Sequence, residues 1–309
     1  MKIAMMGSGG VGGFFGGRLA NAGYDVSFVA RGAHLAAMRD RGLTIENEPQ
    51  GDIRLPKVRV TDDPETLGRA DVVILSVKLW DTEAAAKRIR PLVGPGTGVL
   101  SLQNGVVKDD ILRREFGDAA VMGGVGYVAT TISKPGVIHQ TGTMQRIVLG
   151  EYDGRKSARA TFLHEALVRA GVDAELSGDV RKAIWEKYVF LVGLSATTTA
   201  MRMPIGPIRE NPQTRAFLLE LMREVVAVGR ARGVALAEDY AEGRLAFADG
   251  LPADMTSSMH NDLERGNRLE VEWLSGGVVQ LGQAAGVPTP ANRAVCDILA
   301  LHAPGRKPA

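Results

Sequence analysis

Cysteine is almost missing from this 309-residue chain, and Cys296 is the only one. That excludes a disulfide framework or a thiolate metal centre within one chain, and no metal is expected. The lone thiol lies in an apolar, helix-like stretch and reads as buried. Uninterrupted apolar runs of about 18 residues are also lacking, so no transmembrane helix is expected. The run that follows Lys2 is broken by seven glycines between Gly7 and Gly17, which is wrong for the apolar core of a signal peptide. A cytoplasmic location is therefore expected. An excess of one charge is lacking too: 37 basic against 35 acidic residues leave +2. With no basic cluster, neither nucleic acid nor a membrane is an expected partner. What the chain does have is 45% apolar residues, enough for a substantial core, and a length that predicts two domains.

The first half alternates between two periodicities. Lys2 to Met6 is a short apolar run followed by glycines and a helical stretch from Gly13 to Ala22, closed by Gly23 as a C-cap. Strands are expected at Asp25 to Ala30, Asp71 to Val77, Gly98 to Leu102 and Ala120 to Gly124, with helices at Asp81 to Arg90 and Asp109 to Phe116. This alternation predicts an α/β fold with a doubly wound sheet. From Val125 to Gly150 the sequence turns β-rich and suggests an antiparallel extension, followed by a helix from Ser157 to Ala170 and a last strand from Val172 to Leu176. Thereafter strand signals largely stop. Residues 180–200, 213–232, 236–248, 254–264 and 270–285 read as helices, with prolines at the breaks. The expected organisation is a sheet domain over 1–178 and an all-helical C-terminal domain over 179–309.

Gly7-Ser8-Gly9-Gly10-Val11-Gly12 is G-x-G-x-x-G placed between a strand and a helix, the setting of a Rossmann dinucleotide fingerprint. Its first glycine permits the tight turn, the second lets the backbone approach a pyrophosphate, and the third lets helix and strand pack closely. Free N–H groups at the helix start then hold the phosphates. Where an NAD-binding chain would carry an acid for the ribose 2′-hydroxyl, this one reads Val29-Ala30-Arg31. Arginine there favours a 2′-phosphate, so NADP(H) is the expected cofactor. Lys78, just past the strand ending at Val77, is a second cation able to reach that phosphate.

Two segments bear on the reaction. Gln103-Asn104-Gly105 follows a strand end and is either a simple turn or an amide facing the nicotinamide ribose. Lys187 sits in the apolar helix Arg181 to Leu194 and is either a snorkelling side chain or a buried functional one. Taken with Val77, Lys78 and Trp80, with Gly136-Val137-Ile138-His139, and with Ser257-Ser258-Met259 followed by Glu270, these segments resemble the ketopantoate reductase (2-dehydropantoate 2-reductase) family over nearly the whole chain. The resemblance implies that Lys187 is the general acid and that Asn104 lies where cofactor and substrate meet. It further implies that Ser258 helps bind the substrate carboxylate, that Glu270 supports Lys187 and the substrate hydroxyl, and that the backbone near Ala129 lines the nicotinamide site. A homodimer is also implied.

The chain departs from the family pattern where asparagines are expected four and eight residues after the lysine. Leu191 and Ser195 stand there, and Ile205 replaces a third asparagine. Ser195 is retained as a candidate substrate contact, with Thr197, Thr198 and Thr199 as further hydroxyls. The implied activity is NADPH-dependent reduction of a 2-oxo acid, with ketopantoate as first candidate and a more apolar 2-oxo acid as the alternative. A catalytically inactive NADP-binding sensor ranks lower. A dehydrogenase of 3-hydroxy acids is disfavoured, because the 103–105 and 257–259 segments do not belong to its pattern.

Overall fold

The computed structural model describes residues 1–46 and 51–306, so 307–309, the end of the second expected domain, lie outside the described residues. The chain divides into two compact units. One comprises Met1–Gln103 and Lys108–Ala183, the other Asn104–Val107 and Ile184–Ala309.

The first unit holds strands β1 (Lys2–Met6), β2 (Asp25–Val29), β3 (Leu43–Glu46), β4 (Ile53–Leu55), β5 (Arg59–Thr61), β6 (Val72–Leu75), β7 (Gly98–Ser101), β8 (Val121–Lys134), β9 (Val137–Gly150) and β10 (Asp173–Leu176). Helices α1 (Gly10–Asn21), α2 (Gly32–Arg41), α3 (Thr82–Arg88), α4 (Val107–Phe116) and α5 (Ala158–Arg169) accompany them. The strands form one sheet in the order β4-β3-β9-β8-β7-β6-β1-β2-β5, with β10 also pairing β9. From β8 to β5 all neighbours are parallel, as a doubly wound sheet requires. Alternation along the strands explains the two faces: Ile3, Met5, Val72 and Ile74 enter one apolar cluster, while Ala4, Met6, Val73 and Leu75 enter another. The expected antiparallel extension is the long β8–β9 hairpin.

Several short elements have no sequence counterpart above: α2, β3, β4 and β5. The strands are only three or four residues long, too short for alternation to register.

The second unit is helical: α6 (Val180–Met201), α7 (Ile205–Glu210), α8 (Pro212–Ala231), α9 (Tyr240–Asp249), α10 (Ser258–Arg265), α11 (Ser275–Ala285) and α12 (Pro290–Leu299). The boundary between the units falls within α6. Capping explains where helices begin. Asn211 Oδ1 accepts from the Gln213 and Thr214 amides, and Pro212 occupies the first turn of α8. Ser257 Oγ accepts from His260 N at 3.0 Å, so α10 starts at residue 258 rather than 254. The expected helix over 270–285 starts only at Ser275, because residues 270–274 form a turn in which Trp273 N and Leu274 N donate to Glu270 O. The start of α12 is capped from a distance: buried Glu224 accepts from Ala291 N at 2.7 Å and Asn292 N at 2.9 Å. No helix among the described residues is long and apolar enough to cross a membrane.

Candidate functional site

The glycine turn lies between β1 and α1. Gly7 has φ +95°, a backbone that only glycine adopts without strain, and it is pinned by Gly7 N donating to Val29 O at 3.2 Å and by Ser76 Oγ donating to Gly7 O at 2.7 Å. A Cβ on Gly12 would stand 2.0 Å from Gly7 O and 2.1 Å from Ser76 Oγ, and one on Gly10 would stand 2.6 Å from Thr130 O. These two glycines are required by close packing. Gly9 differs, because a Cβ there would meet no protein atom within 4 Å. The turn thus has an open side at its second glycine, where the fingerprint places a pyrophosphate, and the residues fit a dinucleotide.

The other members of the motif contribute through their backbone. Ser8 is buried and its hydroxyl donates to Val29 O at 3.0 Å, while Val11 packs against the apolar core. Ala129 is exposed on β8, where the pairing with β9 slips register between Val128 and Thr130. This bulge carries the β8 backbone over Gly10, which nothing in the sequence announced.

Arg31 follows β2 as the N-cap of α2, and Lys78 follows β6 at the same carboxyl edge of the sheet. Both are exposed. Lys78 Nζ lies 5.6 Å from the Trp80 ring centroid, and Arg31 Nη2 bonds Asp81 Oδ2 at 3.0 Å. Asp81, expected only as the start of a helix, carried no functional expectation.

In the helical unit, Lys187 and Asn104 come together: Lys187 Nζ donates to Asn104 Oδ1 at 3.0 Å across 83 residues of sequence. The Asn104–Val107 segment groups with this unit although its flanks group with the other. Neighbouring Tyr188 is fully buried, and its hydroxyl donates to Leu274 O at 2.6 Å. Burial pushes the phenol well above its ordinary range, so it stays a neutral donor. The bond ties α6 to the 270–274 turn that carries Glu270, which is itself only 7% exposed. Glu270 is therefore neither at a helix start nor solvated. Gly277 makes room, since a Cβ there would stand 2.9 Å from the Tyr188 hydroxyl.

The paired serines divide their roles. Ser257 is buried, caps α10 and shares a 2.9 Å hydrogen bond with Thr198 Oγ1; Ser258 is exposed in the first turn. Along α6, Lys187, Leu191, Ser195 and Thr199 recur at the four-residue spacing that lines one helix face. Leu191 is partly buried, while Ser195 and Thr199 are buried with hydroxyls that have no partner. Thr197 and Thr198 turn their hydroxyls back to Gly193 O and Leu194 O of the helix itself. Ile205 is fully buried and belongs to the core. Cys296 is half-buried rather than buried, and burial, reinforced by Asp297, pushes its thiol up to about 11. Among the described residues no group of three or more His, Cys, Asp or Glu side chains is placed to hold a metal.

A Rossmann sheet with this turn, followed by a helical unit bearing a lysine held by an amide, defines a class of two-part oxidoreductases. Comparison with known proteins specifies it. The family model described as ketopantoate reductase PanE/ApbA matches residues 3–154, and that of the C-terminal part of the same family matches residues 179–303. The crystal structure of a PanE/ApbA family ketopantoate reductase from Ralstonia eutropha JMP134 is 35% identical, with TM-score 0.88, covering 98% of both chains. A 2-dehydropantoate 2-reductase of Archaeoglobus fulgidus is 33% identical over 96% of both sequences. An uncharacterized oxidoreductase of Bacillus subtilis, YkpB, is 30% identical over 98% of this chain and 99% of its own. The chain belongs to the ketopantoate reductase family and is an oxidoreductase.

Proposed function

We propose that the chain reduces a 2-oxo acid to the 2-hydroxy acid with NADPH, and that ketopantoate is its substrate. The observation that carries this reading is the 3.0 Å bond between Lys187 Nζ and Asn104 Oδ1, which fixes an ammonium by an amide in the unit that also buries Glu270. The reduced nicotinamide, when bound, supplies the hydride. Negative charge then grows on the carbonyl oxygen, where the Lys187 ammonium stabilises it and gives up the proton that completes the hydroxyl. Asn104 sets the direction of that ammonium. Glu270 supports the lysine and accepts from the nascent hydroxyl. Ser258, in the first turn of α10, holds the substrate carboxylate, aided by the free amides of the helix start. Ser195 is assigned a substrate contact because its buried hydroxyl is unpartnered.

On the cofactor side, Gly7 to Gly12 cradle the pyrophosphate, Arg31 and Lys78 take the 2′-phosphate, and the Ala129 bulge offers backbone to the nicotinamide. Residues 1–178 thus form the NADP-binding domain, and residues 179–309 the substrate domain and the surface of a homodimer. The protein works in the cytoplasm.

Leu191 favours a second reading of the substrate. It stands one turn beyond Lys187, and an apolar side chain there leaves a substrate hydroxyl without a partner at a cost of about 1–3 kcal/mol. A more apolar 2-oxo acid would not bear that cost. The test is loss of NADPH absorbance against a panel of ketopantoate and bulkier, more apolar 2-oxo acids, with Lys187→Ala as control. Highest kcat/KM for ketopantoate with a dead control supports the proposal. A roughly tenfold advantage for an apolar acid, about 1.4 kcal/mol, moves the substrate to the second reading, and an active control removes Lys187 as the acid.

A further inference from the structure

We propose that Asp81 is a cofactor-selectivity residue whose carboxylate opposes the 2′-phosphate at Arg31 and so weakens the preference for NADP(H) over NAD(H). The inference rests on the NADP(H) reading given above and deepens it.

Arg31 Nη2 and Asp81 Oδ2 are 3.0 Å apart, with side-chain exposures of 84% and 29%. The difference in exposure says which partner is fixed. Asp81 closes the short turn Leu79–Asp81 that follows β6, with Asp81 N donating to Lys78 O at 2.9 Å. The next residue, Thr82, is fully buried; its hydroxyl donates to Leu79 O at 2.7 Å and accepts from Gln103 Nε2 at 2.8 Å. The backbone that carries the Asp81 carboxylate is therefore fixed beside a buried network, while the arginine reaches toward it from an open position. The Arg31 guanidinium is engaged by Asp81 through Nη2.

A ribose 2′-phosphate arriving at Arg31 faces two alternatives. It displaces Asp81 from the guanidinium, or it binds beside a carboxylate with which it shares charge sign; both weaken binding. A ribose 2′-hydroxyl is neutral and meets neither penalty, and a carboxylate can accept a hydrogen bond from it. Asp81 thus acts against NADP(H) alone. Because the pair is largely exposed, the effect is modest and shrinks with salt.

The experiment is fluorescence titration of the full-length protein with NADPH and with NADH, for wild type, Asp81→Asn and Arg31→Ala, at low and high salt, with melting curves confirming folding. Asp81→Asn is expected to tighten NADPH about three- to tenfold, equivalent to about 0.7–1.4 kcal/mol, while NADH changes less than about twofold and the gain fades at high salt. An unchanged NADPH-to-NADH ratio overturns the inference, as does weaker NADPH binding, which would make Asp81 an aid to Arg31. Arg31→Ala examines the underlying reading separately. If it brings NADPH binding down toward that of NADH, the reading stands whatever Asp81→Asn does; if it leaves NADPH binding intact, that reading falls and this inference with it.

Discussion

The two glycines at positions 9 and 12 should respond to the same substitution in opposite ways. A methyl group on Gly12 would lie 2.0 Å from the Gly7 carbonyl and 2.1 Å from the Ser76 hydroxyl, far inside van der Waals contact with backbone that has nowhere to move. Gly12→Ala is therefore expected to cost about 3 kcal/mol of stability or more and to lower Tm by roughly 5–10 °C. Gly9 has φ −69° and ψ −162°, a conformation alanine accepts, and its methyl would touch no protein atom within 4 Å. Gly9→Ala should keep or slightly raise Tm, by the ~0.4–1 kcal/mol gained when the unfolded chain loses freedom. Its damage should appear only in cofactor binding. Pushing a pyrophosphate off the turn loses about two charge-assisted hydrogen bonds, about 3 kcal/mol, or roughly a 150-fold rise in Kd. Melting curves with and without NADPH, beside a fluorescence titration, separate the two effects. Were Gly9→Ala to bind NADPH as wild type does, the open side of the turn would not be where the phosphates lie.

Other residues lend themselves to sharper single tests. Tyr188→Phe keeps the ring but removes the hydroxyl bond to Leu274 O, which still accepts from Val278 N; we expect about 0.5–1.5 kcal/mol of lost stability and a fall in kcat greater than any change in KM, because the Glu270 turn loses its tie to α6, and unchanged kcat would contradict that tie. Burial alone would push the Glu151 carboxyl up, but hydrogen bonds from Arg159 and Ser157 outweigh it and hold it below its ordinary value. Its stabilisation is thus present above the unfolded carboxylate range and lost as pH falls through the folded value. Glu151→Gln should consequently lower Tm near neutral pH, with the gap to wild type closing below about pH 4; a constant gap would refute the linkage. With its thiol pushed up to about 11, native Cys296 should react with a thiol reagent at mildly alkaline pH about a hundredfold more slowly than the denatured chain does, and equal rates would show the thiol to be ordinary.

Much of the sheet unit could be read from the chain because several of its strands are nearly continuous, largely buried apolar runs, and because the fingerprint glycines mark the first crossover. The position of Arg31 just past the end of β2 was legible for the same reason. Elements settled by a distant contact or by the geometry of a tight turn were not. The start of α12 depends on Glu224 in α8, and the late start of α11 depends on backbone bonds inside the 270–274 turn; neither leaves a local trace. Pattern alone could name Lys187 and Asn104 but could not join them, since their bond spans 83 residues. Tyr188 looked like one more apolar residue of α6, and only the buried hydroxyl bond reveals what it holds.

The grouping of residues 104–107 with the helical unit bears on how such a chain could be recombined. A fragment that begins near α6 inherits Lys187 but leaves behind the amide that orients it, so the two units are not freely exchangeable modules. In a chimera of family members joined ahead of α6, the sheet-bearing parent would supply Asn104 and the helical parent would supply Lys187. The pair would then have to be compatible by descent or repaired by selection, and crossovers elsewhere in the chain would leave more hybrids active than those that mismatch it.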